Sequence, residues 1–427
     1  MENLKFTRDW KDALDIMELS DKHLFLTGKA GTGKSTLLKL FLDKTKKGIV
    51  VLAPTGVAAL NVKGETIHSF FGFKPDINLE MVERIAKKIS KDKRELIQKI
   101  DMIVIDEVSM LRADLLDCID KFLRLVRGSW DAFGGLQMVF VGDLYQLPPV
   151  VTKQEESVFN MNYASPYFFS ARAMGDCEMA RVELRTIHRQ DEEDFVDILN
   201  GVREKNIGEN DLERLNMRVE EIDLEEGGMV YLATTNKKVN YINEAKLAEL
   251  HEENYDFEVK LNGNVDKAMQ RAVEEVLNLK VGAQVMFLNN DPGGRWVNGS
   301  IGRVEEIDEM EMKVKVRLVD NRKLVTVKRH TWEIYKHALD DKGELEPKAV
   351  ASMEQFPLRL AWAITIHKAQ GKTFENVVVD MGWGSFAHGQ TYVALSRCRS
   401  FQGLRLVRPI QMKDIIMDER VREWMRN

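Results

Sequence analysis

Residues 28–36, GKAGTGKST, constrain this chain more than any other segment. They fit GxxxxGK[ST], follow the apolar run HLFLTG (23–28) and open the helical run STLLKLFLDK. A strand, a glycine-rich loop and a helix in that order make a cradle for phosphate. The glycines let backbone N–H groups close on an anion, and the helix N-terminus adds positive dipole. Lys34 adds a mobile charge and Ser35 is placed to hold Mg²⁺. Gly28, Ala30, Gly31, Thr32, Gly33, Lys34, Ser35 and Thr36 are therefore the expected nucleotide-binding residues.

Three further apolar runs, GIVVLA (48–53), DMIVID (101–106) and LQMVFVG (136–142), read as buried strands with helical stretches between them. Strands alternating with helices mean βαβ units and a parallel sheet, with ligands at the carboxyl ends of the strands. At 427 residues the chain has room for two or three domains. The expected fold class is α/β, with two parallel-sheet lobes. Lobe one spans 1–190 and carries a charged helical, wedge-like excursion at about 72–100; lobe two spans 191–274 and 350–427. Short strands with glycine turns, in LKVGAQVMFLNN, GRWVNGSIGRVEEID, MKVKVRLV and KLVTVKRH, predict a small β-barrel inserted at 275–349.

Several classes are not expected. No run approaches the ~20 apolar residues of a membrane span, and MENLKFTRDW lacks the apolar core of a signal peptide. Cys118, Cys177 and Cys398 are far apart and form no CxxC pair, which argues against a zinc or disulfide framework. A reducing, bacterial-type cytosol is expected, with a nucleus as the alternative compartment, and no membrane partner. The net charge of -6 gives no globally basic surface, so a nucleic-acid partner would need a local basic groove.

Chemistry gathers at the strand ends. Asp106, closing DMIVID, is placed to bind Mg²⁺ through water, and Glu107 to polarise the attacking water. With the phosphate loop they predict a nucleoside triphosphatase. No guanine-reading NKxD follows, which favours ATP or a loosely selective site. Gln146 in VGDLYQLPPV is placed to sense the γ-phosphate, with Asp143 bracing its loop. Arg189 in ELRTIHRQ and Arg397 in ALSRCRS are candidate arginine fingers, a device worth ~10³–10⁵ in rate when a second lobe closes on the nucleotide.

GKAGTGKST, APTGVAA, TIHSFF, IDEVSM, FGGLQMVFVGDLYQLPPV, LRTIHRQ, LKVGAQVM with VNGSIG, AITIHKAQG and TYVALSRCRS occur in this order over nearly the whole chain. The set closely resembles the Pif (petite integration frequency) family of superfamily-1 DNA helicases, relatives of RecD. That resemblance implies two RecA-like lobes with a small barrel-like (SH3-like) insertion in the second. It implies ATP-driven 5′-to-3′ translocation on single-stranded DNA, with forked or 5′-tailed duplexes as partners. It also implies the roles given above for Lys34, Glu107, Gln146, Arg189 and Arg397. A monomer is expected in solution. The alternative is a DNA-stimulated ATPase switch, or a subunit of a RecD-like complex, that does not unwind by itself.

The chain departs from the family at one point. The family carries a glutamine ahead of the phosphate loop to read adenine, whereas FTRDWKDAL has none, and Trp10 stands about there. Stacking of the base on Trp10 is the expectation, with weaker discrimination among nucleotides.

For the DNA track, Pro54, Thr55 and Gly56 of APTGVAA and His68 and Ser69 of TIHSFFGF are expected to meet phosphates. Phe70, with Phe71 and Phe73, is expected to offer stacking faces worth ~1–3 kcal/mol per base. Thr365, His367, Lys368, Thr391 and Asn298 complete the candidates. In the insertion, Lys313, Lys315 and Arg317 share one face of a strand by period two and form a further possible contact, weighed evenly against a solvated face.

Overall fold

The computed structural model describes residues 7–186, 192–222, 228–340 and 342–426. Lobe one is built on β1 (His23–Gly28), β2 (Ile49–Ala53), β3 (Glu65–Thr66), β4 (Met102–Ile105), β5 (Gln137–Val141) and β6 (Met179–Leu184). They form one sheet in the order β3-β2-β4-β5-β1-β6, every neighbour parallel. β4 and β5 are buried along their whole length. Helices cover both faces, which is why these strands read as continuous apolar runs. The helix Ala113–Arg127 packs Leu116, Ile119, Phe122, Leu123 and Val126 into the core and stops at Gly128, whose φ of 67° suits a glycine cap. The excursion at 72–100 contains two helices, Leu79–Lys88 and Lys91–Lys99. Asn78 and Ser90 cap them, and Val82, Ala86, Leu96 and Ile97 anchor them to the same core.

The sheet of lobe two begins with β7 (Met229–Ala233) and is then interrupted by β8 (Tyr255–Glu258), β9 (Lys260–Asn262), β10 (Val276–Leu279), β11 (Gln284–Phe287), β12 (Ile301–Asp308), β13 (Lys313–Leu318), β14 (Leu324–Lys328), β15 (His330–Leu339), β16 (Leu345–Gln355) and β17 (Leu358–Leu360). It resumes with β18 (Ala363–Thr365), β19 (Asn376–Asp380) and β20 (Leu404–Leu406), which pair with β7 in the all-parallel order β18-β7-β19-β20.

The insertion differs from expectation in extent and form. Its strands run from Tyr255 to Leu360, wider than 275–349. They make three antiparallel sheets, β14-β13-β12-β11-β17, β15-β16-β9 and β10-β8, and no β14–β17 pairing closes a barrel among the described residues. The five-stranded sheet has its own core of Val285, Phe287, Trp296, Val304, Val314, Val316, Val327 and Phe356. The long β15–β16 pair leaves that sheet as an arm and returns to lobe one. There Leu339 and Leu345 pack against the lobe-one core, and His337 meets the buried Glu65 at 2.9 Å.

The carboxyl terminus is a second correction, because 350–427 does not belong wholly to lobe two. The helix Glu419–Arg426 crosses back, burying Val421 in the lobe-one core and stacking Trp424 on Phe169. Its apolar side chains recur on one face, and lobe one supplies the surface that covers them. Among the described residues no helix is long and apolar enough to cross a membrane.

Candidate nucleotide and DNA sites

The phosphate loop joins β1 to the helix Lys34–Leu42. A Cβ on Gly28 would lie 2.7 Å from the Leu184 carbonyl, so the loop can leave the sheet there only through glycine. Gly31 and Gly33 hold φ of 82° and 86°, the left-handed turn that points backbone N–H groups into the loop. Lys34 folds onto its own loop, donating from Nζ to the carbonyls of Gly28 (2.6 Å) and Lys29 (3.1 Å). Burial pushes its ammonium below the usual lysine range, against the pull of Asp143, Glu107 and Asp106. Those three carboxylates therefore share the site. Ser35 and Thr36 are exposed on the first turn of the helix.

Asp106 and Glu107 follow β4. The Glu107 N–H donates to Asp106 Oδ1 at 2.9 Å, and Glu107 holds a left-handed φ of 51°, a strained backbone for a side-chain-bearing residue. Burial, then the neighbouring Asp106, pushes the Glu107 carboxyl up to about 7. Burial also raises Asp106. The serine hydroxyl and the aspartate carboxylate are hard oxygen donors of the kind Mg²⁺ selects, and a carboxylate short of positive charge suits a cation. Beyond β5, Gln146 is 7% exposed, and its amide donates to Asp143 at 3.4 Å.

The facing wall comes from lobe two. The helix Gln390–Leu395 is fully buried between the lobes, and the Tyr392 hydroxyl accepts from the Ala30 N–H of the phosphate loop at 3.2 Å. Before it, Gly389 (φ 69°) lies so close to the backbone of Tyr145 and Gln146 that no Cβ would fit. Arg397 is 0% exposed. Its guanidinium donates to Val393 O, Lys372 O and Ser396 Oγ, and its charge draws Glu107 down. Arg189 lies outside the described residues.

Sequence reasoning missed three further residues. Arg203, in lobe two, donates to Asp143 Oδ1 at 3.0 Å and lies over the Tyr145 ring at 3.8 Å. Burial alone would raise Asp143, but Arg203 and then Lys34 outweigh it and hold the carboxyl below its usual range. A signal was available: Phe195, Ile198, Leu199, Val202 and Arg203 form the buried stripe of the helix Glu193–Arg203, so an arginine stands at an apolar position. Tyr392 and Gln370 carried no such mark; Gln370 Nε2 donates to Glu107 Oε2 at 3.0 Å.

Three expectations are corrected. Trp10 is 3% exposed and packs beneath Gly33, where a Cβ would come within 3.0 Å of its ring. The indole supports the loop from below and offers no open face to a base. Phe70 is 1% exposed, and Phe71 and Phe73 are also buried. The apolar face of the short helix Ile67–Phe71 turns inward, so Phe70 meets Phe71 and His337 edge-on and has the Lys93 ammonium over its ring at 3.6 Å. Thr391 is buried, with its hydroxyl engaged by Asp414 O and Ser385 Oγ.

The other DNA candidates take varied positions. Pro54, Thr55, His68 and Ser69 are half-buried at the carboxyl ends of β2 and β3, and Thr55 accepts from Ala58 N as a helix cap. Gly56 is covered by the insertion, with the Ala268 carbonyl 2.3 Å from where a Cβ would stand. Thr365 is buried as the cap of the helix Ile366–Ala369, while His367 and Lys368 on that helix are exposed. Asn298 joins the insertion to both lobes, bonding Asn61 at 3.5 Å and accepting from the Lys372 ammonium. Lys313, Lys315 and Arg317 do share one face, and there they form ion pairs with Glu311, Glu306 and Glu305.

A phosphate loop, a strand-end acid pair and buried arginines from an opposing lobe define a two-lobe motor driven by nucleoside triphosphate. Residues 10–213 match the PIF1-like helicase family. The ATP-dependent DNA helicase Pif1 of Bdellovibrio bacteriovorus is 34% identical over 99% of this chain and 92% of its own. The crystal structure of Bacteroides sp Pif1 in complex with ADP-AlF4 superposes with a TM-score of 0.89 at 34% identity, covering 99% of this chain and 97% of that one. The Bacteroides Pif1 structure with ADP-AlF3 and single-stranded DNA covers the same shares at 36% identity, with a TM-score of 0.71. The chain belongs to the PIF1-like helicase family and is an ATP-dependent DNA helicase.

Proposed function

We propose that the chain moves 5′-to-3′ along single-stranded DNA and opens forked or 5′-tailed duplexes, using one ATP each time the lobes close. The observation that carries this reading is the composition of the cleft. Lys34, Asp106 and Glu107 come from lobe one, and the buried Arg397 and Arg203 come from lobe two. Neither lobe is a complete hydrolase, so hydrolysis depends on their approach. Both lobes belong to one chain, and a monomer suffices.

In this reading Lys34 leaves the Gly28 and Lys29 carbonyls for the phosphates, while the loop N–H groups hold their oxygens. Ser35 and Asp106 hold Mg²⁺, which when bound offsets phosphate charge. Glu107, already raised toward neutrality, takes the proton of the attacking water. Gln146 orients that water, and Arg397 steadies the charge that develops. On the DNA side, Thr55, His68, Ser69, His367, Lys368 and Asn298 grip the sugar-phosphate backbone.

Strand separation on a duplex with a 5′ tail, compared with the same duplex carrying a 3′ tail, tests this. Unwinding of the 5′-tailed substrate alone supports it. Preference for the 3′ tail reverses the direction, and DNA-stimulated hydrolysis without strand separation replaces the motor with a switch.

A further inference from the structure

Eight residues, Thr365 to Lys372, run from the proposed DNA face to the middle of the nucleotide cleft. Thr365 caps the helix Ile366–Ala369, which presents His367 and Lys368 to solvent. Gln370, next along, reaches between the lobes and donates from Nε2 to Glu107 Oε2 at 3.0 Å. Lys372 ends the segment, its carbonyl accepting from Arg397 Nη1 at 3.1 Å and its ammonium bonding Asn298. One short stretch thus carries the exposed DNA candidates His367 and Lys368 and touches both the acid and the arginine.

We propose that Gln370 is a positioning residue that restrains Glu107 in the DNA-free protein, and that a strand seated on His367 and Lys368 draws it away. The proposal rests on the reading that Glu107 polarises the attacking water. Two physical points favour it. The Gln370 N–H is bonded to the His367 carbonyl at 3.2 Å, so this single turn moves as a unit. A displacement of about 1 Å there takes a 3.0 Å contact beyond hydrogen-bonding range. A glutamine, moreover, ties up one carboxylate oxygen without cancelling its charge. Release leaves the acid ready to accept a proton, which a lysine at this position would not allow.

Steady-state ATP hydrolysis without DNA and with saturating oligodeoxythymidine tests the idea in Gln370→Met, which keeps the length and loses the donor. Gln370→Asn, which keeps the amide but falls one methylene short, serves as the second variant. Both are expected to raise the DNA-free kcat about tenfold, the factor for roughly one net hydrogen bond. The DNA-saturated kcat should stay within about twofold, with KM for ATP and the melting temperature unchanged. A DNA-free rate equal to wild type, or both rates falling together, overturns the proposal. Glu107→Gln is made in each background to check the assignment beneath it. Hydrolysis that survives this change places the base elsewhere, and the restraint falls with it.

Discussion

Removing Arg203 should expose how much the inter-lobe ion pair contributes. Arg203 and Asp143 have side chains 3% and 0% exposed, 3.0 Å apart on different lobes. Stripping one partner from a buried pair costs about 3–5 kcal/mol, because the other charge is left without compensation. Arg203→Met should therefore cost about that much, and Asp143→Asn alone a similar amount. The double variant should recover most of it, since a buried pair removed together is nearly neutral. The pH dependence has a definite sign. In the wild type the Asp143 carboxyl is held low by Arg203 and Lys34, so its contribution is present above the unfolded aspartate pKa and is lost as pH falls through the depressed folded value. In Arg203→Met burial dominates instead and the folded carboxyl shifts upward. The variant's deficit should then be largest at alkaline pH and shrink on acidification. Urea unfolding of the four proteins at two pH values, followed by tryptophan fluorescence, measures the cycle. Single variants that each cost less than about 1 kcal/mol, and that add in the double, would refute the coupling.

Glu107 gives a kinetic counterpart. Its carboxyl is raised to about 7, and a general base works deprotonated, so kcat/KM for ATP should fall as pH drops below about 7. An acid limb near the ordinary glutamate value of ~4.3 contradicts this. Trp10→Ala should lower stability by about 3–5 kcal/mol through the cavity left under Gly33, and leave the ratio of ATP to GTP hydrolysis unchanged. A changed ratio without a stability loss would restore base stacking. Substituting Lys313, Lys315 and Arg317 together with alanine should leave the salt slope of DNA binding unaltered, because all three are already paired with glutamates. A slope reduced by two or more would place the strand on DNA.

What could be read from sequence was whatever local spacing determines. The strand–loop–helix around Lys34 and the acids ending β4 follow from short apolar runs and the residues that break them. What escaped depends on distant packing. TIHSFF offers its rings equally to a base or to a core, and the helices at 79–99, Phe122 of the helix Ala113–Arg127 and the arm that brings His337 decide for the core. Trp10 stands near the phosphate loop in sequence and in space, but on its underside. The glycine turns mark the middle of the insertion, whereas β8 and β9 are short, lie before the α-helix Lys267–Gln270 and pair only with distant strands, β10 and β16, which local spacing does not reveal. The arginine closing the Glu193–Arg203 stripe is the legible mark of a buried lobe contact, although it belongs to no motif.

The two-lobe site is tested most directly by single-turnover ATP hydrolysis in Arg397→Ala, with single-stranded DNA saturating and ATP affinity measured alongside. A fall in the chemical rate of about 10³-fold, with ATP still bound, is the result predicted for an arginine that serves the transition state from the opposite lobe. A chemical rate within about threefold of wild type would show that lobe one hydrolyses ATP by itself, and would contradict a motor gated by closure of the cleft.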